Sequence, residues 1–99
     1  MKYSIKALPI FKKQVAKLNK KSRQIVYNKI QLIKNNPYRF KRIHSKNYSK
    51  VFRIRLNIGQ KETRLIYAII EPSIILVCLL DRKRDYKDLE KYLKKINQA

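Results

Sequence analysis

The chain has 99 residues, a size at which one hydrophobic core and one domain spanning residues 1–99 are expected. Its 26 Lys and Arg against 6 Asp and Glu give a formal net charge of +20, which favours a polyanionic partner such as nucleic acid or an acidic protein. Because 44 % of the residues are hydrophobic, the composition excludes intrinsic disorder as the default.

The cysteine content and the hydropathy exclude several further classes of protein. The one cysteine, Cys78, excludes an internal disulfide and a cysteine-rich zinc site, and its place within SIILVCLL predicts a buried apolar residue. The amino-terminal MKYSIKALPIF lacks the long apolar core of a signal peptide. The longest apolar run, residues 74–80, is too short to span a bilayer. We therefore expect a soluble, cytoplasmic protein without membrane contact.

The amino-terminal third predicts a strand followed by two helices. Residues 2–6 alternate in polarity, and Pro9 suits the first turn of a helix. Ser22 is the predicted N-cap of a second helix, which ends before Pro37. Apolar residues recur at helical spacing in both segments and predict core-facing stripes: Leu8, Phe11, Val15 and Leu18, then Val26, Ile30 and Ile33.

From Phe40 onward, apolar residues recur at every second position, as in β-strands. Residues 39–46 form either a short edge strand or an irregular stretch, and residues 51–56, 64–70 and 74–80 read as strands, with a turn at Pro72. Residues 84–99 return to helical spacing. The order predicts an α+β fold with an N-terminal strand, a helical hairpin packed on a small antiparallel sheet, and a C-terminal helix, the helices grouped on one face.

The central hairpin gathers arginines on one face. With the turn centred between Gly59 and Gln60, Arg55 lies opposite Arg64, and Arg53 is diagonal to Arg64. Like charges directly opposite each other cost roughly 0.2–1 kcal/mol, so the cluster suggests a phosphate ligand that guanidinium groups hold bidentately. The alternative is an edge hairpin whose charges prevent aggregation.

Two further residues bear on the chemistry of this face. If residues 74–80 pair beside residues 64–70, Arg82 and Tyr86 approach the same region. The only histidine, His44, falls outside this cluster, and the carboxylates are scattered, which argues against a histidine-based ribonuclease and a metal nuclease. Arginines and a tyrosine can still cleave RNA when the 2′-hydroxyl of the RNA attacks its own phosphate.

Four segments resemble the RelE/ParE toxin superfamily. FRIRL…TRLIYAI is similar to its central strand motifs and LLDRKRDYKDL to its closing motif. YSIKALPIFKKQVAKLNK and NNPYRFKRI match its amino-terminal order and spacing. The resemblance covers about nine-tenths of the chain, and four motifs in this order are more specific than any one alone.

The RelE branch of that superfamily implies a metal-independent mRNA interferase without a cofactor. Such a toxin cuts messenger RNA in the ribosomal A site, leaves a 2′,3′-cyclic phosphate and a 5′-hydroxyl, and is silenced by a cognate antitoxin. The resemblance implies that Arg53 and Arg55 are basic site residues, that Arg64 and Arg82 stabilise the scissile phosphate, and that Tyr86 stacks on a base or assists proton transfer. Contacts to mRNA or ribosomal RNA are expected from four more residues: Lys46, Lys50, Lys61 and Arg84.

Two departures from the RelE pattern leave alternatives open. Well-studied RelE toxins carry lysines where this chain has Arg53 and Arg55, and arginine is a poor general base. Lys50, Tyr86 or ribosomal RNA could accept the 2′-hydroxyl proton instead. The hairpin turn is also expected to be longer than in compact members, with Lys61 and Glu62 either near the site or directed to solvent. The competing functions are a ParE-like gyrase inhibitor without nuclease activity and a non-catalytic RNA- or ribosome-binding protein.

Overall fold

A computed structural model of the chain describes residues 3–81 and 88–98, which form an α+β fold with one five-stranded sheet. The elements, in chain order, are β1 (Ser4–Ala7), α1 (Pro9–Ala16), α2 (Lys20–Asn35), β2 (Lys41–Ile43), β3 (Val51–Ile58), β4 (Lys61–Ile70), β5 (Ser73–Asp81), α3 (Leu89–Lys94) and a 3₁₀ turn (Lys95–Gln98). The predicted fold class is confirmed. The three strands predicted after residue 50 are present, each extended by one to three residues at one or both ends.

The sheet has the strand order β1-β5-β4-β3-β2. Strands β2 to β5 pair antiparallel with their neighbours, as predicted, whereas β1 pairs parallel with β5. The parallel pair arises because α1 and α2 carry the chain from β1 across the sheet before β2 begins. Strand β2 lies at the edge of the sheet, so residues 41–43 form the short edge strand that was one of the two predicted possibilities.

A two-residue loop joins β3 to β4. Ile58 pairs with Lys61, leaving Gly59 and Gln60 as the turn. Gly59 has a φ of +64°, and a Cβ added there would meet no atom within 4 Å, so the backbone conformation and not the available space selects glycine. The expectation of a longer turn was wrong, because both strands continue as far as this loop.

Asn19, not Ser22, caps helix α2. The Asn19 side chain accepts a hydrogen bond from the Ser22 N–H at 2.8 Å, and the helix begins at Lys20. Both residue types are good N-caps, but the chain reaches helical geometry before Ser22, which therefore supplies the capped amide. The other end of α2 is as predicted, since Asn35 is its last residue before Pro37.

Helices α1 and α2 cover one face of the sheet. Their buried residues pack against the even-numbered residues of β3 and against one face of β4 and β5. Tyr67 is fully buried there, donates a hydrogen bond from its hydroxyl to the Pro37 carbonyl at 2.6 Å, and stacks on Phe52 with ring centroids 5.6 Å apart. The helical stripes predicted from spacing contribute Phe11, Val15, Val26 and Ile33 to this layer.

Helix α3 lies on the opposite face. Leu89 and Leu93 pack against a second buried cluster that includes Ile66 and Cys78. The expectation that all helices share one face was therefore wrong, because β4 and β5 are apolar on both faces and the second face also needs a cover. Cys78 is buried as predicted, and burial raises the pKa of its thiol to about 12. Among residues 3–81 and 88–98, no helix has the length and apolarity needed to cross a membrane.

Candidate nucleic-acid interface

The β3–β4 register places two arginines directly opposite each other. Arg55 pairs with Arg64, while Ile54 pairs with Leu65 and Phe52 with Tyr67, in the predicted alignment. Arg55 is exposed and Arg64 is half-buried. Because opposite residues share a face, both side chains project from the face that lies away from α1 and α2. This arrangement follows from the alternation of side chains along β3. Its even-numbered residues face α1 and α2, and its odd-numbered residues lie on the opposite face of the sheet.

Arg53 belongs to the same face but is buried, with only 7 % of its surface exposed. It pairs with Ile66 on β4 and with Lys41 on the edge strand β2. Arg53 and Arg64 both interact with other groups of the chain. The three predicted strand arginines are therefore brought together, but Arg55 and Arg64 are the two that a ligand can reach without rearrangement of the sheet.

Strand β5 brings its carboxyl end to this part of the sheet. Leu80 pairs with Arg64, and Asp81 pairs with Thr63, so β5 ends one residue beyond the arginine pair. The pairing of β5 beside β4, on which the predicted approach of further site residues depends, is thus present. Those further residues, Arg82, Arg84 and Tyr86, lie outside the described residues.

The predicted lysine contacts are dispersed around the sheet. Lys61 pairs with Ile58, whose side chain packs on the α1–α2 side, so Lys61 takes the face opposite Arg55. Lys46 lies in the loop between β2 and β3, where its backbone N–H donates to Glu90 at 3.0 Å. Neither lysine adjoins the arginine pair in the sheet register.

Lys50 immediately precedes Val51, the first residue of β3. Its Nζ is 3.9 Å from the Glu71 carboxylate, and it donates a hydrogen bond to the Tyr38 hydroxyl at 3.3 Å. Five residues of strand separate Lys50 from Arg55, a span of about 16 Å. The structure therefore separates this candidate general base from the arginine pair.

One carboxylate, Glu62 of β4, lies on the same face of the sheet as Arg55 and Arg64. It pairs with Asn57, two residues before Arg64 on the same strand, so alternation directs it to the side of Arg55 and Arg64. An open cavity at the outer edge of β3 is lined by Arg55, Asn57 and Glu62 together with Lys29 of α2. The position of Glu62 could have been predicted from the sequence. Once the turn is fixed at residues 59–60, Glu62 and Arg64 are two residues apart in one strand and therefore lie on the same face.

The chemistry of this face rests on cationic hydrogen-bond donors. Within residues 3–81 and 88–98, no three His, Cys, Asp or Glu side chains lie close enough together to hold a metal ion. His44 is exposed in the segment that follows β2. Guanidinium groups are planar forks that match two oxygens of a phosphate, and they stay protonated at every physiological pH. The arrangement can therefore bind and neutralise a phosphodiester.

Comparison with solved structures shows which known fold this is. An arginine-to-alanine double mutant of the E. coli toxin RelE in the free state superposes with a TM-score of 0.76 at 16 % identity, over 97 % of this chain and 99 % of that chain. The isolated E. coli RelE toxin gives a TM-score of 0.67 at 17 % identity, over 95 % of this chain and 98 % of that one. The archaeal RelE–RelB complex from Pyrococcus horikoshii OT3 gives 0.61 at 20 % identity, over 85 % and 99 % of the two chains.

Sequence comparison adds nothing to this result, since no family model and no curated protein matches the chain. At identities of 16–20 %, the structural matches establish a RelE-like fold. The fold implied by the sequence motifs is confirmed.

Proposed function

We propose that this chain is a single-domain toxin of a toxin–antitoxin pair and a metal-independent endoribonuclease that cleaves mRNA in the ribosomal A site, in the cytoplasm. One observation carries the proposal: Arg55, which is exposed, and Arg64, which is half-buried, are paired directly opposite each other on two neighbouring strands of a RelE-like sheet. Like charges directly opposite each other repel, and a phosphate bound between them would offset that repulsion. The net charge of +20 supports the choice of nucleic acid as that anion.

The proposed reaction uses a nucleophile that the RNA itself supplies. The 2′-hydroxyl oxygen attacks the adjacent phosphorus and the bond from phosphorus to the 5′-oxygen breaks, so the products end in a 2′,3′-cyclic phosphate and a 5′-hydroxyl. Negative charge accumulates on the non-bridging oxygens during the attack. Arg55 and Arg64 stabilise that charge because the sheet places both guanidinium groups on one face, where their N–H donors can bind the same phosphate. Arg53 is buried on the same face, beside the pair, and supports its position in the sheet.

Proton transfer is assigned to groups other than the arginines. A guanidinium does not release its proton near neutral pH, so it cannot accept one from the 2′-hydroxyl. The separation of Lys50 from the pair leaves Tyr86 or a group of ribosomal RNA as the proposed acceptor. A proton from solvent water then converts the departing 5′-oxygen to the 5′-hydroxyl. Arg82 is proposed to join the phosphate clamp, with Lys46, Lys61 and Arg84 as outlying contacts to RNA. No step in this scheme requires a cofactor.

The proposed protein partner is an acidic or amphipathic antitoxin. Two of the structural matches are complexes: the E. coli RelBE toxin–antitoxin complex and the archaeal RelE–RelB complex from Pyrococcus horikoshii OT3. A partner that covers Arg55 and Arg64 would exclude RNA by occupying the same donors. Its affinity should fall steeply as the salt concentration rises, because the attraction is largely electrostatic.

Primer extension on an mRNA held in translating ribosomes tests the proposal. The wild-type chain should give discrete cuts at A-site codons, and Arg64→Ala should give none, since it removes one side of the phosphate clamp. Arg39→Ala is the matched control, because Arg39 is an exposed arginine of the loop between α2 and β2 and its loss changes the net charge equally. Intact mRNA with the wild-type chain, or equal cutting by Arg64→Ala, would refute the proposal. Inhibition of DNA supercoiling in place of cutting would indicate a ParE-like function.

A further inference from the structure

The outer edge of β3 is only partly covered by a neighbouring strand. Strand β2 pairs with residues 51–53, whereas β3 continues to Ile58. Among residues 3–81 and 88–98, no strand lies on this side of β3 from residue 54 to residue 58. We refer to residues 54–58 as the open edge. An uncovered edge of this kind can pair with a strand from another molecule.

The β3–β4 register shows which backbone groups of the open edge point outward. The Lys50 carbonyl accepts a hydrogen bond from the Ile69 N–H at 2.9 Å, so the backbone of residue 50 bonds to β4. In an antiparallel pair every second residue bonds to the same neighbour, and this register has no shift along β3. The even-numbered residues of β3 therefore bond to β4. The N–H and C=O groups of Arg55 and Asn57 point to the other side, beyond the reach of β2.

Open space adjoins these backbone groups. Arg55 and Asn57 are both exposed and line the cavity at the outer edge of β3. Leu56 and Ile25 give this cavity an apolar wall on the α1–α2 side, and Lys29 adds a cation to that wall. An extended chain along the open edge would therefore meet an apolar wall on one face of the sheet and Arg55 on the other.

The backbone donors and acceptors of the open edge favour a peptide over a nucleic acid as the ligand. Arg55 and Asn57 each offer one N–H and one C=O, at the spacing of a strand. A second peptide backbone carries the same alternation and can pair with all four groups. Phosphate oxygens accept hydrogen bonds but donate none, so an RNA phosphate would leave the two carbonyls unpaired.

The charges around the open edge indicate which peptide fits. A second copy of this chain would bring another net charge of +20, so repulsion opposes the pairing of two open edges. Arg55, its partner Arg64 and Lys29 attract carboxylates instead. A residue opposite Arg55 would share its face, and a residue opposite Leu56 would point to the apolar wall. Acidic residues that alternate with apolar residues therefore fit the open edge.

We propose that the open edge binds an extended acidic segment of a partner protein, which joins the sheet as a strand beside β3. The inference rests on the proposed function and describes how the antitoxin would engage the chain. Backbone pairing at Arg55 and Asn57 gives the affinity, and the alternating side chains give the specificity. A carboxylate opposite Arg55 lies on the face that carries Arg64 and competes there with an RNA phosphate.

Fluorescence anisotropy with two synthetic peptides tests the added strand. The first peptide is Thr-Glu-Val-Glu-Val-Glu-Val-Thr, and the second has the same composition in the order Thr-Glu-Glu-Glu-Val-Val-Val-Thr. In an extended strand, only the first directs all its carboxylates to one face. It should bind about tenfold more tightly than the second, because the charges are equal and only the alternation differs. Equal affinities would indicate general electrostatic attraction and would overturn the proposal.

Methylation of the peptide nitrogens separates strand pairing from side-chain contacts. In an added strand, alternate N–H groups point to β3 and the others point to solvent. N-methylation of one alternate set should lower the affinity by about tenfold or more, and methylation of the other set should change it by less than about twofold. Equal effects of the two sets would show that the peptide backbone does not pair with the chain, which would overturn the proposal.

Amide hydrogen exchange of the full chain locates the contact. The alternating peptide should slow exchange at the N–H groups of Arg55 and Asn57 by about tenfold or more. The opposite edge of the sheet is the internal control: the Ser4 N–H bonds to β5, so the N–H groups of Ile5 and Ala7 point outward from β1. Protection of that edge in place of the open edge would overturn the proposal. Equal protection of the open edge by a 2′-O-methyl oligoribonucleotide would overturn it in favour of RNA.

A charge-matched pair of variants tests the side-chain contact. Arg55→Gln should weaken binding of the alternating peptide about three- to fivefold, because it removes the cation opposite an acidic residue. Arg39→Gln removes the same charge from an exposed loop residue and should change the affinity by less than about twofold. Equal losses in the two variants would contradict the placement of a carboxylate opposite Arg55.

These measurements use peptides and no mRNA, so they are independent of cleavage. Cutting of mRNA at A-site codons without binding of the alternating peptide would refute the added strand alone. Binding of the peptide by a chain that cuts no mRNA would refute the proposed nuclease and leave the added strand in place.

Discussion

Replacing Arg55 and Arg64 by glutamine, singly and together, isolates the repulsion that the sheet register imposes. The two residues are Cα partners in the β3–β4 pair, with Arg55 exposed and Arg64 half-buried. Glutamine keeps most of the aliphatic stem while removing the charge. The double-mutant cycle cancels the contacts that each arginine makes with other groups and leaves the energy of the pair.

The expected size of that energy follows from the separation and the salt concentration. Opposite Cβ atoms in such a pair are about 5 Å apart, and we take about 7 Å as the separation of the two charges at the ends of the flexible side chains. In water, two unit charges at that distance repel by about 0.6 kcal/mol. Screening reduces the repulsion to about 0.5 kcal/mol at 0.01 M salt, about 0.25 kcal/mol at 0.15 M and less than about 0.1 kcal/mol at 1 M.

Urea unfolding of the four proteins at these three salt concentrations measures the coupling. The pair should be unfavourable at 0.01 M salt and indistinguishable from zero at 1 M. A coupling that is favourable, or that does not change with salt, would show that the two guanidinium groups do not repel in the folded protein. The pair would then give no reason to infer an anion between Arg55 and Arg64. If the repulsion is observed, RNA binding should move in the opposite direction, with each glutamine variant binding more weakly.

Three further changes test the described structure. Tyr67→Phe should lower the free energy of unfolding by about 1–2 kcal/mol in urea titrations, because it leaves the buried Pro37 carbonyl without its donor; an unchanged midpoint would contradict that contact. Asn19→Ala should cost about 0.5–2 kcal/mol through loss of the α2 cap, and a neutral result would mean that the cap lies elsewhere. The hydrogen bonds of the Glu90 carboxylate with the Lys46 N–H and the Asn47 side chain should stabilise the fold above pH 4.5, the ordinary pKa of this group, and that contribution should fade as the pH drops through the lowered pKa. Unfolding curves of the wild-type chain and Glu90→Gln should therefore converge in acid, and a difference that persists would refute the shift.

The hairpin and its register could be predicted because several constraints agree there. Phe52, Ile54 and Leu56 alternate with polar residues in β3, and only one glycine is available for the turn. A shift of one residue would move the apolar side chains of both strands to the wrong face, so the pairing of Arg55 with Arg64 followed from the core pattern. The placement of the arginine pair therefore required no knowledge of the rest of the fold.

Other features depend on contacts that no local pattern reveals. Helix α3 packs on the second apolar face of β4 and β5. An apolar run such as residues 74–80 predicts that both faces of a strand are buried, but it does not show which helix covers which face. The capping role of Asn19 was missed because Ser22 has an equal propensity for the position. The contact of Glu90 with Lys46 and Asn47 joins residues more than forty positions apart, and loop sequences carry no periodic signal.

In the proposed reaction, the RNA supplies the nucleophile, and Arg55 and Arg64 stabilise the negative charge that develops on the phosphate oxygens. The most direct test is cleavage of a ribosome-bound mRNA that carries a single 2′-deoxy nucleotide immediately 5′ of the bond cut in the all-ribose message. The account predicts that cutting at that bond is lost, while other sites are cut as before and their products end in a 2′,3′-cyclic phosphate. Cleavage of the 2′-deoxy bond at an undiminished rate would mean that water is the nucleophile and would contradict the mechanism.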